Sequence, residues 1–180
     1  MKLVGEKVLL RPIEVEDAKR FVELINDEEV RQYLTLVFPI NKYMEENWLK
    51  NDANNFNTVT LGIEVKDKNL LVGSTGLNNI DWINRQAEFG IGIFDKNYWN
   101  KGLGTEATKL VLKYAFEYLN LNRVYLKTYE YNKRAIRVYE KCGFLLEGKE
   151  RQAKYLKGKY WDLVRMSILA EDYWRSLENQ

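Results

Sequence analysis

The chain has 180 residues, 46% of them hydrophobic and 30% charged, with a net charge of +2. That composition belongs to a soluble globular protein able to bury its own core, and the charge is too small to argue by itself for nucleic-acid or membrane binding. There is no histidine and one cysteine, Cys142, which excludes an internal disulfide, a cysteine zinc site, histidine bases and both Ser-His and Cys-His nucleophiles.

Repeats, low-complexity stretches and Pro/Gly/Ser linkers are absent, and Pro12 and Pro39 do not divide the chain. One domain over 1–180 is therefore expected. The N-terminus MKLVGEKVLL meets charge at Glu6 and Lys7 before any apolar core, unlike a signal peptide. No apolar run approaches the ~20 residues that span a bilayer, so a cytoplasmic protein is expected. KVLLRPI (7–13) reads as a short strand ending near Pro12. Asp17 stands where a cap would, before a helix with apolar Ala18, Phe21, Val22 and Ile25. A further turn or two of helix covers 28–34, the loop TLVFPIN follows, and another helix covers 42–51.

The period then changes. TVTLGIEV (58–65), the strand opened by KNLL (68–71) that runs through LVGSTGLNNI, and QAEFGIGIF (86–94) read as an antiparallel meander. A helix is expected over 103–118, with Leu103, Ala107, Leu110, Val111, Tyr114, Ala115 and Tyr118 on one face. NRVYLKT (122–128) is a strand, and Asn132 starts the short helix KRAIRVYEK, closed by Gly143. Residues 144–169 hold two strands joined near Lys157–Gly158, and a last helix covers 170–177. This order predicts an α+β or α/β sheet layered with helices.

In YWNKGLGTEA (98–107), Gly102 and Gly104 stand just before the long helix. A glycine turn that opens a helix presents free N–H groups and the positive end of the dipole to an anion. The lysine and hydroxyl pair of a nucleotide loop is missing, since Thr105 and Glu106 follow the last glycine, so NTP hydrolysis is not expected. In AEFGIGIF, Gly90 and Gly92 cost packing within a strand; either a bulge sits here or something lies flat against the backbone. Tyr139 follows Asn132 by seven residues, so both project from one side of the helix. Cys142 reads as a small buried hydrophobe.

AEFGIGIF, WNKGLGTEA and NKRAIRVYEKCGF, in that register, resemble the GNAT acetyltransferases, in the branch of the ribosomal-protein (RimJ/RimL) and spermidine enzymes. The resemblance runs from LRP near the start to GKYWD near the end and is strongest over 72–144. It implies a mixed, mostly antiparallel twisted sheet of about seven strands flanked by helices. It also implies acetyl-CoA as cosubstrate without a metal, and direct transfer to a primary amine. The family's acetyl-CoA loop reads Gln/Arg-x-x-Gly-x-Gly/Ala; Gly102 and Gly104 match, whereas Trp99 occupies the Gln/Arg place.

The resemblance assigns the pyrophosphate to Trp99, Asn100, Lys101, Gly102, Leu103, Gly104 and Thr105. It pairs the pantetheine arm with Ile91, Gly92 and Ile93, one N–H facing the thioester oxygen, and adds Asn132, Arg134 and Ala135 from the later helix. Tyr139 is the implied acid that returns a proton to the departing thiolate, since a phenol of pKa ~10 stays protonated at neutral pH. Glu88 is the candidate base for an ammonium that must first lose a proton. Water, or a plain surface pairing of Glu88 with Arg85 or Lys96, is the alternative.

The acceptor groove implied by the resemblance takes Tyr33, Phe38, Trp48, Tyr155, Tyr160 and Trp161, for which ordinary packing is the other reading. A polyamine needs carboxylates, yet QYLTLVFPINKYMEEN is apolar until Glu45 and Glu46. A peptide or protein N-terminal α-amine, or a small-molecule amine, therefore ranks above spermidine or spermine. Two other classes remain: a CoA-binding sensory module without transfer, against which Tyr139 and Glu88 speak, and a nucleic-acid binder suggested by RVYLKTYEYNKRAIRVYEK. That run alternates as a strand and then a helix face, and the net charge is small, so no nucleic-acid partner is expected. Relatives often dimerise, so a homodimer is expected.

Overall fold

The computed structural model describes residues 2–36, 38–52 and 55–178. Val37, inside the expected TLVFPIN loop, lies outside the described residues. The strands are β1 (Leu3–Val4), β2 (Val8–Pro12), β3 (Val59–Val65), β4 (Leu70–Asp81), β5 (Gln86–Ile93), β6 (Arg123–Tyr129), β7 (Leu145–Leu156) and β8 (Lys159–Leu169). The helices are α1 (Ala18–Ile25), α2 (Glu28–Arg31), α3 (Lys42–Asp52), α4 (Leu103–Lys113), α5 (Lys133–Lys141) and α6 (Ala170–Glu178). The strands form one eight-stranded sheet in the order β1-β2-β3-β4-β5-β6-β8-β7. Every ladder is antiparallel except β5 with β6. The sheet exceeds the expected seven because Leu3–Val4 pairs with Leu9–Leu10, a strand too short to leave a period. None of the described helices is long and apolar enough to cross a membrane.

Alternation builds the core. Val8, Leu10, Ile63, Val72, Leu77, Ala87, Val124 and Leu126 are essentially inaccessible, one side of each strand turned inward. Leu103, Ala107 and Val111 of α4 pack on the same core, as their helical spacing predicts.

Three local expectations change. Asp17 does not cap α1 with its side chain. Its carboxylate accepts from the Glu14 N–H (2.9 Å) and from the Arg11 guanidinium (2.8 and 2.9 Å). Arg11 also donates to Glu64 (2.8 Å), so Asp17 fixes the turn before α1 to β2 and β3. The helix expected over 28–34 ends at Arg31, capped at its start by Asp27, which accepts from Glu29 N–H (2.9 Å). The helix expected to reach Tyr118 leaves the α form after Lys113 and closes with a π-turn, Leu119 N–H donating to Tyr114 O (3.1 Å). That turn buries Ala115 and Phe116 and leaves Tyr118 64% exposed, off the expected face.

The last hairpin folds so that β8, not β7, lies against β6. Arg123 of β6 reaches past β8 to Glu147 of β7 with a forked pair (2.5 and 2.7 Å), and Ser167 of β8 donates to the same carboxylate (2.7 Å). Arg123 above all holds the Glu147 carboxyl down to about 2 from its usual 4.5. A depressed carboxyl contributes stability above its unfolded pKa, and that contribution is lost as pH falls through the folded value. Solvent screening keeps the effect small at this partly exposed site. In acid denaturation, Glu147→Gln should lose less stability than the unsubstituted protein between about pH 5 and pH 2. Equal losses would contradict the pairing.

Candidate active site

β5 and β6 are ladder partners over three pairs only, Gln86↔Arg123, Ala87↔Val124 and Glu88↔Tyr125. Beyond Glu88 the strands part, and Phe89 to Ile93 keep a ladder partner only in β4. The α5 helix packs beside α4 and lines the space next to the freed end of β5. Tyr139 packs edge-on against Phe89 (6.2 Å, 88°) and against Phe144 (5.8 Å, 60°). A cavity of about 410 Å³ results. One wall is Ile91 to Phe94, the next runs from Tyr98 through the first turn of α4 to Thr105, and α5 supplies Asn132, Arg134, Ala135, Arg137, Val138, Tyr139 and Lys141. Val30, Tyr33 and Leu34 complete it.

The glycine turn has the form its sequence predicts. Gly102 takes φ 83 as the N-cap of α4 and offers no side chain to cap it, a left-handed backbone that glycine adopts without strain. The first N–H groups of α4 have no partner within the helix. A Cβ on Gly104 would meet nothing within 4 Å, so the approach is open. The charged residues of the lining are Lys101, Arg134, Arg137 and Lys141, with no carboxylate among them. Glu106, although in this turn, accepts the Lys7 N–H (3.0 and 3.2 Å) and ties α4 to the start of β2. Uncapped N–H groups, a helix dipole and unpaired cations suit a polyanion.

Trp99, where the loop departs from the family pattern, has a structural task. Its indole N–H donates to Ile93 O (2.6 Å), fixing the turn to the end of β5. The Arg134 guanidinium lies 3.7 Å over the Trp99 ring and 5.4 Å from Tyr33. Asn132 accepts the Ala135 N–H (3.2 Å) as cap of α5, which leaves its NH₂ for a ligand. The β4–β5 register is unbroken from Gly73↔Ile93 to Asn78↔Glu88, so no bulge explains the glycines. A Cβ on Gly92 would fall 2.1 Å from the Phe94 ring, which packs edge-on against Phe21 (5.9 Å). Gly92 is therefore small for an internal ring, while its backbone edge stays open.

Tyr139 is 6% exposed, and burial raises its phenol pKa, so the proton stays on at neutral pH. Glu88 does not line the cavity. Ala87 and Phe89 are core residues, which turns Glu88 to the opposite face of the sheet, where it accepts from the Asn79 amide (3.1 Å). The surface pairings considered for it do not form. Arg85 donates to Asn120 O (2.8 Å), and Lys96 pairs with Asp27 (2.9 Å) and Glu29 (3.0 Å).

Of the aromatic residues assigned to an acceptor groove, Tyr33 lines the cavity. Trp161 packs against Tyr131 (5.1 Å). Tyr155 and Tyr160 face each other across the last hairpin (5.1 Å), outside the cavity, and Phe38 and Trp48 are exposed elsewhere. Sequence reasoning missed Arg137 and Lys141, although with Arg134 they recur at helical i, i+3 and i+7 spacing. Tyr129 and Tyr131, outside the cavity lining, pack next to Tyr33. Their rings stack (5.2 Å), and their hydroxyls donate to Leu34 O (3.3 Å) and Gln32 O (2.6 Å).

The splayed parallel pair, the uncapped helix and the α5 tyrosine define a class. Residues 7–145 match the Acetyltransferase (GNAT) domain family, and the chain belongs to it. It is a GNAT N-acetyltransferase, of a family that uses acetyl-CoA. Two relatives narrow the comparison. YdaF of Bacillus subtilis (strain 168), which carries the name of a ribosomal N-acetyltransferase, is 35% identical over 94% of this chain and 95% of its own. The spermidine N(1)-acetyltransferase of Escherichia coli (strain K12) is 33% identical over 94% and 89%. The crystal structure of the Vibrio cholerae spermidine N-acetyltransferase in complex with CoA and spermine superposes with a TM-score of 0.87 at 28% identity, covering 94% of this chain and 99% of that one.

Cys142 stands at the end of α5, its thiol toward Thr105 O (3.7 Å), and burial pushes it up to about 11 from 9.0. Its thiolate is correspondingly scarce. Iodoacetamide at about pH 8 should alkylate the native protein at least about tenfold more slowly than the unfolded protein, read by mass spectrometry. Equal rates would contradict this burial.

Proposed function

We propose that this enzyme acetylates an amine carrying one positive charge, a peptide or protein N-terminal α-amine or a small monoamine. The donor half rests on one observation: a lining of cations without carboxylates, at an uncapped helix start, beside an unpaired strand edge. CoA has phosphates for the first two and an amide-bearing arm that can add to the third as an extra strand. Lys101, Arg134, Arg137 and Lys141 would hold the phosphates, with the backbone of Gly102 to Thr105. The amide of Asn132 and the edge of Ile91 to Ile93 would hold the arm.

Acetyl-CoA supplies an activated acetyl thioester. An N–H of Ile91 to Ile93 aimed at the carbonyl oxygen takes up the charge that develops there as the amine attacks. Tyr139 keeps its proton on Oη until the sulfur leaves, then donates it. Glu88, on the opposite face at the last ladder pair, takes the proton of the incoming ammonium through water.

The acceptor half rests on which positive charges are already in place. Tyr33, Tyr131 and Trp161 form a continuous aromatic wall with Tyr129 (6.1, 5.1 and 5.2 Å). Lys154 lies 4.8 Å over Tyr129 and Lys159 3.8 Å over Trp161. Two of these aromatic faces, Tyr129 and Trp161, are thus covered by the chain's own lysines. Asp27, Glu28 and Glu29 are paired with Lys96 and Lys157. A polyamine acceptor is the second reading, favoured by the spermidine acetyltransferases among the relatives.

CoA release from acetyl-CoA, measured against peptides of varied N-terminus, small monoamines, spermidine and spermine, tests the proposal. A peptide or monoamine should be turned over with the highest kcat/KM; spermidine in that place would overturn the acceptor assignment. With the best acceptor, Tyr139→Phe should lower kcat by about 10² or more and leave CoA affinity within about threefold. An unchanged kcat removes the acid from Tyr139.

A further inference from the structure

Lys154 is a half-buried ammonium without a carboxylate within ion-pair distance among the described residues. It donates to Leu34 O (3.3 Å) and lies 4.8 Å over the ring of Tyr129, itself 7% exposed. The Tyr129 hydroxyl donates to the same carbonyl (3.3 Å). A carbonyl oxygen and an aromatic face are the ligands that a desolvated ammonium prefers when no carboxylate is present. Leu34 and its neighbour Tyr33 line the cavity, so the carbonyl that holds this ammonium belongs to a residue of the cavity wall, with Lys154 and Tyr129 themselves outside the lining.

We propose that Lys154 determines acceptor specificity by occupying, with its own head group, the position that the second ammonium of a di- or polyamine would take. The inference rests on the monoamine reading above and gives it a cause in this chain. With Lys154 present, a polyamine would place a second cation against a fixed one, with no carboxylate between them to offset the repulsion. A monoamine brings no second charge and escapes that penalty. Removing the head group leaves a carbonyl and a ring ready to take a substrate ammonium.

The experiment compares kcat/KM for spermidine with that for a tetrapeptide amide bearing one ammonium. In Lys154→Ala the spermidine-to-peptide ratio should rise about tenfold or more; in Lys154→Arg, which keeps a cation, it should stay at the value of the unsubstituted protein. An unchanged ratio in Lys154→Ala, or an equal rise in Lys154→Arg, overturns the assignment. If Lys154→Ala does not fold, Lys154→Gln is read by the same criterion. A purely structural lysine would lower both activities together and leave the ratio alone.

A second readout needs no acceptor. Methylammonium chloride, against sodium chloride at equal concentration, should raise the thermal midpoint of Lys154→Ala and not that of the unsubstituted protein. No rise in Lys154→Ala contradicts the vacated site. If neither amine is acetylated by the unsubstituted protein, the acceptor proposal fails, and this measurement still decides the role of Lys154.

Discussion

The parting of β5 and β6 after Glu88↔Tyr125 is the constraint from which the site follows. A ladder that ends inside a sheet leaves N–H and C=O groups that must find other partners. The protein satisfies the far end itself: the Trp99 indole takes Ile93 O, and the N–H groups of Phe94 and Asp95 turn back to Val72 O (2.8 and 3.1 Å). Between those points the edge of β5 is left for something else to pair with. Tyr139 and Phe144 pack against Phe89 on the core face, at the point where the strands part. The cavity is thus a product of sheet geometry, closed on one side by α5.

Charge is sorted around that gap. The acids that could neutralise the cavity are engaged elsewhere: Glu106 by the Lys7 N–H, and Asp95 by Arg20 (2.7 Å) and by its own turn. Lys101, Arg134, Arg137 and Lys141 remain in the lining. On the hairpin side the sorting runs the other way, with lysines laid over aromatic faces and acids taken up in ion pairs. The first side suits a polyanion; the second is where the proposed preference for a singly charged amine has its basis.

Much of this was legible in the residues. Alternation gave the meander and the last hairpin, and glycine spacing gave the loop, because both signals are local. The Asn132 to Tyr139 interval placed two lining residues for the same reason. Other features depend on long-range packing. The insertion of β8 between β6 and β7 leaves no mark in either strand's pattern. The π-turn after Lys113 leaves no mark in the apolar spacing, which continues at helical period through Tyr118. Tyr155 and Tyr160 are groove candidates by the place of the late hairpin that the resemblance implies, and their register pairs them with each other outside the cavity. Tyr129 and Tyr131, placed at the end of β6 beside α2, could not be singled out without the fold.

The central claim is that the gap between β5 and β6, entered past Gly104, is where the acyl donor binds. Calorimetric titration of CoA into the unsubstituted protein and into Gly104→Leu tests it most directly, because a side chain at Gly104 has room in the free protein, with nothing within 4 Å of its Cβ. The unsubstituted protein should bind one CoA per chain, and Gly104→Leu should lose at least about 30-fold in affinity while keeping its thermal midpoint. CoA bound equally well by both proteins would contradict the claim.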